Sequence, residues 1–394
     1  MTGCRQSSKN PVLTGMQRGF VSHIMLVEKA GPLFLPEDTS VCTWLATFHA
    51  VPDHSTLSRT RNRLPLEVHE KIFRWVLAKV AECGLVVGGR IGVDSSTMEA
   101  NAAMRTIVRR DTGESYRQML TRMAKESGIK TPTSDELIRL DKKRKDKKLR
   151  NSEWVSPVDP EAKIAKMKDG TTQLGYKPEH AVDLDTGAIV AVEVYPGDRS
   201  DTSTLKETLS QAGRNLKAAT PTPPRVDDPA EVSADKGYHS REVLKELEGG
   251  PWKTRIAEPK AKGFLLWRGD HEARAAVYKN RARIKSQVGR FVSRLRTEVV
   301  ERSFAHLLVR GGMRRVWLRG VENIKKRYLI HVAGFNLSLL MRQMIGYGTP
   351  RRAADAPGVV FLFIQTHFGS LLMVILVSPD RGDGILAIAV FKNR

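Results

Sequence analysis

Cysteine is scarce in this chain: 394 residues hold three, Cys4, Cys42 and Cys83, with no C-x-x-C spacing. That excludes a disulfide framework and a cysteine zinc site, and it fits a reducing cytoplasm. Aromatic residues make up only 6%, so stacking on single-stranded bases is not a strong theme. Negative charge is short as well: 43 Asp+Glu face 65 Lys+Arg, a formal net charge of +22. A surplus of that size points to a polyanionic partner. Uninterrupted apolar runs are also lacking. The stretch 359–377 approaches membrane-spanning length, yet Gln365, Thr366, His367, Gly369 and Ser370 stand in its middle, where polar groups are costly, so no membrane span is expected. The first residues show no apolar segment followed by a small-residue cleavage site, so no secretory signal is expected either. What is present is globular: 41% hydrophobic and 27% charged residues, in a length that suits two or three domains.

Residues 1–45 carry no clear cap or strand pattern and stay unassigned, a degenerate N-terminus. Residues 46–87 are expected to form a small helical DNA-binding domain: HSTLSRTRNRLP offers Ser and Thr as N-caps and a basic face, and Val68, Ile72, Trp75, Val76, Leu77 and Val80 recur at helical spacing. A buried strand follows over 90–93 and ends in Asp94, Ser95, Ser96 and Thr97. Residues 98–170 read as a polar, helical surface insertion holding seven basic residues among the nine at 142–150. Two strands, 180–184 and 188–194, flank the turn signal Asp185-Thr186-Gly187. A helix is expected over 201–219, a loop over 220–229, and a short strand over 231–235 that brings a second aspartate, Asp235, to a strand end. Helical pattern rich in Arg and Lys then runs to Met344. This order predicts an α/β fold, an RNase-H-like mixed sheet flanked by helices, with an N-terminal all-helical domain. The catalytic domain would span 88–350, and 351–394 would be an apolar C-terminal tail.

Two aspartates at strand ends suggest phosphoryl transfer with two divalent ions about 3.5–4 Å apart, one activating the attacking oxygen and one stabilising the leaving oxygen. Hard Mg²⁺ prefers oxygen ligands and needs few from the protein. A third carboxylate is available from TEVVERSFAHLL, as Glu298 or Glu301. With the apolar face set by Val300, Phe304, Leu307 and Leu308, Glu301 lies roughly 75° from its centre and Glu298 roughly 135°. Glu301 is therefore expected to border the packed side, while Glu298 points outward with Arg302 at i+4. Taken singly, an Asp after a strand is more often a turn former.

Longer stretches carry a resemblance. They are PDHSTLSRTRNRL at 52–64, IGVDSSTMEANAAMRTIVRRDTGESY at 91–116, DPEAKIAKMKDGTTQLGYKPEHAVDLDTGAIV at 159–190 and SADKGYHS at 233–240. VYKNRARI at 277–284, LRTEVVERSFAHLLVRGGMRRVWLRG at 295–320 and NIKKRYLIHVAGFNLSLLMR at 323–342 complete the set. Over roughly residues 41–352 the chain resembles the DDE transposases of bacterial insertion sequences, in the branch related to IS-four and IS-five elements. The resemblance implies an RNase-H-like fold and metal-dependent cleavage and strand transfer at the ends of the chain's own element. It implies two Mg²⁺ or Mn²⁺ ions held by Asp94 (IGVDSST), Asp235 (ADKGYHS) and Glu301 (VERSFAH). Tyr278 and Arg281 match a Y-x-x-R pattern found upstream of the glutamate in related enzymes. Arg294 stands four residues before Glu298 rather than Glu301, and Leu308 stands where a basic residue is expected, which keeps Glu298 as the alternative catalytic acid.

The DNA partners would be terminal inverted repeats and target DNA, met by a homodimer in a bacterial cytoplasm beside the nucleoid. Arg281, Arg302, Arg310, Arg314, Arg315 and Arg319 would hold phosphates near the site. Arg59, Arg61 and Arg63, with His54, would read the element's ends from a helix-turn-helix-like module. Lys142, Lys143 and Arg144 would make salt-sensitive, non-specific phosphate contacts. His180 and His239 lack partner spacing for a metal and are expected to be ordinary polar residues. Two other readings remain: a catalytically inactive, truncated DNA-binding derivative, suggested by the atypical termini, and a plain RNase-H-like nuclease.

Overall fold

A computed structural model of the chain describes residues 54–145, 149–260, 267, 269–346 and three strands between 360 and 392. The expectations for residues 1–53, and for Lys147 and Lys148 of the basic run, lie outside the described residues. The chain divides into two compact units, Met1–Gly334 and Phe335–Arg394.

The first described elements are helices, α1 (His54–Arg63) and α2 (Leu66–Glu82). Ile72, Phe73, Val76, Leu77 and Val80 are buried on one stripe of α2, the 3.6-residue period at work. Strand β1 (Arg90–Ser95) follows, then the short β2 (Met98–Glu99), a 3₁₀ turn and β3 (Val108–Arg109). Helices α3 (Tyr116–Glu126) and α4 (Ser134–Lys143) each begin with a capping box, Ser115 with Gln118 and Thr133 with Glu136. Then come β4 (Trp154–Val155), β5 (Lys163–Lys166), the long β6 (Thr172–Asp183) and β7 (Ile189–Pro196). The segment 98–170 is thus only partly helical: β2 and β5 add to β6, and β3 pairs with β4, because the open backbone beside the long β6 demands partners.

Helix α5 (Asp201–Ala219), β8 (Ala230–Ala234), a 3₁₀ turn over Lys236–Tyr238, α6 (Arg241–Leu247) and β9 (Trp252–Ile256) complete the sheet's cover and its far edge. Strands 7, 6, 1, 8 and 9 lie side by side in that order; β7, β6 and β1 are antiparallel, and β1, β8 and β9 are parallel. This is the expected RNase-H-like mixed sheet. Residues 174–183 of β6 are buried without a break, because helices cover both faces. Leu205, Leu209, Ala212 and Leu216 of α5 are buried on one side. Helix α7 (His271–Lys285) runs beside β9, where Asn280 bonds the Ile256 backbone. On the face opposite α5 pack α8 (Gln287–Phe304), which ends in one π-helical turn (Ala305–Arg310), and the first part of α9 (Val321–Ile345), whose Tyr328 reaches His180. Gly92 allows the approach of α8: a Cβ there would stand 2.5 Å from Leu184 Cδ2 and 2.8 Å from Val300 Cγ2.

Beyond residue 359 the second unit holds an antiparallel meander, β10 (Val360–Gln365), β11 (Leu371–Val377) and β12 (Ala387–Lys392). The expected apolar tail therefore contains strands, and the stretch 359–377 is divided between two of them. Among the described residues, no helix is long and apolar enough to cross a membrane.

Candidate active site

Alternation along the strands sorts the site. In the antiparallel pair β1 and β6, Asp94 stands opposite His180 and Ser95 opposite Glu179, so the first pair faces α8 and the second faces α5. In the parallel pair β1 and β8, Gly92 is in register with Ser233. Asp94 and Asp235, each two residues further on, come out side by side at the carboxyl ends of neighbouring strands. Asp94 Oδ1 accepts from the Ser95 N–H at 2.8 Å, and its Oδ2 accepts from Arg296 Nη1 at 2.9 Å. Asp235 caps the 3₁₀ turn after β8, its Oδ1 accepting from the Gly237 N–H at 2.7 Å. Burial pushes the Asp94 carboxyl up; Arg296 and the Ser95 N–H oppose this, and the charge of Asp235 adds to it.

The two aspartates thus offer hard oxygen donors whose mutual repulsion a divalent cation would relieve, a donor set that suits Mg²⁺ or Mn²⁺. The third carboxylate is placed differently. Glu301 and Glu298 are both exposed on α8, and Glu298 accepts from Arg302 Nη2 at 2.6 Å in the i,i+4 pair that the spacing suggested. Glu301 does not border the packed side of α8, because the buried stripe runs through Val292, Val300, Ser303 and Phe304 and turns Glu301 away. Among the described residues, no three His, Cys, Asp or Glu side chains are grouped so that they could hold one ion.

Arg296 is the residue near the site that the motifs did not single out. A signal was available: Val292, Arg296 and Val300 follow one another at i+4, so a cation sits within the stripe of α8 that packs on β1. His180 is fully buried and held by Ser303 Oγ and Tyr328 Oη, each at 2.8 Å, with its ring stacked on Phe304 at 3.9 Å. Burial lowers it to about 3, and both nitrogens are occupied by hydroxyls. His239 is lowered by burial as well.

The expected phosphate-binding residues are distributed unevenly. Arg302, Arg310, Arg314, Arg315 and Arg319 are exposed on the helical side; Arg315 also pairs with Glu99 at 3.5 Å, and Arg319 Nε donates to the Asn101 carbonyl. Arg281 is half-buried, gripping Glu258 through two hydrogen bonds and lying over the Tyr278 ring at 4.9 Å. On α1, Arg59 and Arg63 are exposed, while Arg61 is half-buried and donates to Ser58 Oγ. Lys142 and Lys143 are exposed at the end of α4, and Arg144 folds over the Tyr116 ring.

Residues 127–337, more than half of the chain, match the family model described as the transposase DDE domain. The chain belongs to that family. The match takes in Asp235, Glu298 and Glu301, and Asp94 lies ahead of it on the central strand. A solved structure titled "Mos1 transposase paired-end complex with left transposon end" is similar at 10% identity over 86% of this chain and 80% of that one, with a TM-score of 0.19, too low to bear on the site. No curated protein matches the chain. In this DDE transposase the strand order brings Asp94 and Asp235 together, while Glu298 and Glu301 stand exposed on the helix that crosses β1.

Proposed function

We propose that this transposase cuts DNA at the ends of its own insertion sequence and joins the freed ends to target DNA, using Asp94, Asp235 and Glu301. One observation carries the reading: two aspartates stand side by side at the carboxyl ends of adjacent parallel strands, inside a fold of the matching family. Asp94 and Asp235 would hold two Mg²⁺ or Mn²⁺ ions between them, with Glu301 completing the set and Glu298 as its alternative. Bound there, the ions would supply charge stabilisation on the phosphate and help activate the attacking oxygen of water or of a DNA 3′-OH. The chain's own part is to position the carboxylates on a rigid sheet and to hold the backbone with the exposed arginines Arg302, Arg310, Arg314, Arg315 and Arg319. Two element ends in one complex call for a homodimer on DNA.

The inactive DNA-binding derivative keeps its place for a specific reason: the third carboxylate stands apart from the aspartates, and Arg296 occupies Asp94. The deciding experiment places wild type, Asp94→Ala, Asp235→Ala, Glu301→Ala and Glu298→Ala on DNA carrying the native flanking ends, with Mg²⁺ or EDTA. Metal-dependent nicking and end joining that are lost in the first three variants and kept in Glu298→Ala support the reading. Loss in Glu298→Ala with retention in Glu301→Ala exchanges the two glutamates. Binding without cleavage by wild type selects the inactive derivative.

A further inference from the structure

On the α5 side of the sheet, directly behind the two aspartates, lies a buried cation that the proposed chemistry does not use. Lys177 on β6 is 5% exposed. Its ammonium donates to Asp201 Oδ1 at 2.7 Å, to the Arg199 carbonyl at 3.1 Å and to Thr204 Oγ1 at 3.2 Å, with Glu179 Oε2 at 3.7 Å. An ammonium has three protons, and all three are engaged. Lys177 therefore has none left for DNA or for a reacting group, and its action is confined to the groups it touches.

Those groups lead to both strand ends. Asp201, at the start of α5, accepts from Ser95 Oγ at 3.0 Å through the same Oδ1 that Lys177 holds. Ser95 is the residue whose N–H binds Asp94 Oδ1. The other oxygen of Asp201 lies against Gly237, where an added Cβ would stand 2.4 Å from Asp201 Oδ2 and 3.0 Å from Asp235 Oδ1. The absence of a side chain at Gly237 is what lets Asp201 approach the turn that Asp235 caps. A second arm runs through Glu179, which is fully buried. Its Oε2 accepts from Thr204 Oγ1 at 2.7 Å and from Tyr238 Oη at 3.0 Å, and Tyr238 ends the 3₁₀ turn that begins at Asp235.

Resting on the reading of Asp94 and Asp235 as metal-holding residues, we infer that Asp201, clamped by Lys177, is a positioning residue that sets the spacing of the two aspartates through Ser95 and the Gly237 turn. Buried ion pairs are weak contributors to stability because desolvation offsets their attraction. A network of this kind between two functional strand ends is better explained by geometry it enforces than by stability it adds. Groups that orient metal-holding side chains typically change metal affinity about 10–100-fold when removed.

The test titrates the full-length protein, without DNA, with Mn²⁺ alone, following free Mn²⁺ by electron paramagnetic resonance, with circular dichroism as the check on folding. Wild type is expected to bind Mn²⁺ in a manner lost in Asp94→Ala and Asp235→Ala. Ser95→Ala, which removes one hydroxyl and spares the Lys177 contact, and Asp201→Ala are each expected to weaken the Kd about tenfold. Asp201→Asn, which keeps an acceptor oxygen for both Ser95 and Lys177, is expected to bind close to wild type. Folded Ser95→Ala and Asp201→Ala with wild-type Kd overturn the inference while leaving the metal site standing. Asp201→Asn as weak as Asp201→Ala also overturns it, by making Asp201 a direct ligand. Wild-type binding that persists in Asp94→Ala and Asp235→Ala brings down the site reading and the inference together.

Discussion

Arg296 and Asp94, 202 residues apart in sequence, meet at 2.9 Å where α8 crosses the end of β1. The arginine is mostly buried and the aspartate partly so, with side-chain exposures of 13% and 25%. Arg296→Ala would leave a carboxylate whose pKa burial already raises without its cation. The expected loss is about 1–3 kcal/mol, below that of a fully buried pair because water still reaches Asp94. Urea denaturation at pH 7 measures it, and a midpoint equal to wild type would remove Arg296 from this account.

Gly92, two residues before Asp94, has no room for a methyl group between Leu184 and Val300. Gly92→Ala is expected to push α8 off the strand and cost about 1–3 kcal/mol, the usual penalty of overpacking. Thermal unfolding of the variant against wild type checks this; an unchanged Tm would show that α8 yields freely.

His180 gives a pH dependence of known sign. Its pKa is lowered to about 3 in the folded chain, against about 6.5 when unfolded. The unfolded state takes up the proton first, so this contribution is fully present above about pH 6.5 and is lost as the pH falls towards 3. Between pH 7 and pH 5 wild type should lose about 2 kcal/mol more than His180→Gln, which does not titrate. Carboxyls raised by burial, such as Glu193, act in the opposite direction but are common to both proteins. Equal losses in paired denaturation curves would contradict the buried, neutral imidazole.

Lys325 on α9 bridges Glu193 of β7 at 2.7 Å and Glu70 of α2 at 3.1 Å. Burial pushes Glu193 up, and Lys325 holds it down. Lys325→Met strands that buried carboxyl, and the expected cost is about 3 kcal/mol. Glu193→Gln in the same background should recover part of it; chemical denaturation of the single and double variants would reveal no recovery if the pair is unimportant.

Local signals were legible where local physics suffices. The apolar run before Asp94, the turn Asp185-Thr186-Gly187, the helix over 201–219 and the strand before Asp235 could all be read from periodicity and turn chemistry. The capping boxes at Ser115 and Thr133 are local too, since both partners lie within four residues, but the structure was what singled them out. The β-strands within 98–170 were not, because β2 and β5 exist only by pairing with β6.

By itself the sequence determined the family, the order of elements outside residues 98–170 and the two aspartates at strand ends, because these depend on runs, spacings and motifs carried within short windows. Only the tertiary structure decided which polar residues are buried and what they hold. In YKPEHAVD, Lys177, Glu179 and His180 look like an ordinary polar strand, yet all three are interior. Their partners, Asp201, Thr204, Tyr238, Ser303 and Tyr328, come from α5, the 3₁₀ turn, α8 and α9. A buried polar group is stable only beside a partner that replaces water, and that partner is chosen by the packing of distant elements. The same reason holds for the expected third carboxylate: the resemblance names Glu301, but the rotation of α8, set by Val292, Val300 and Phe304 against the sheet, decides where Glu301 points.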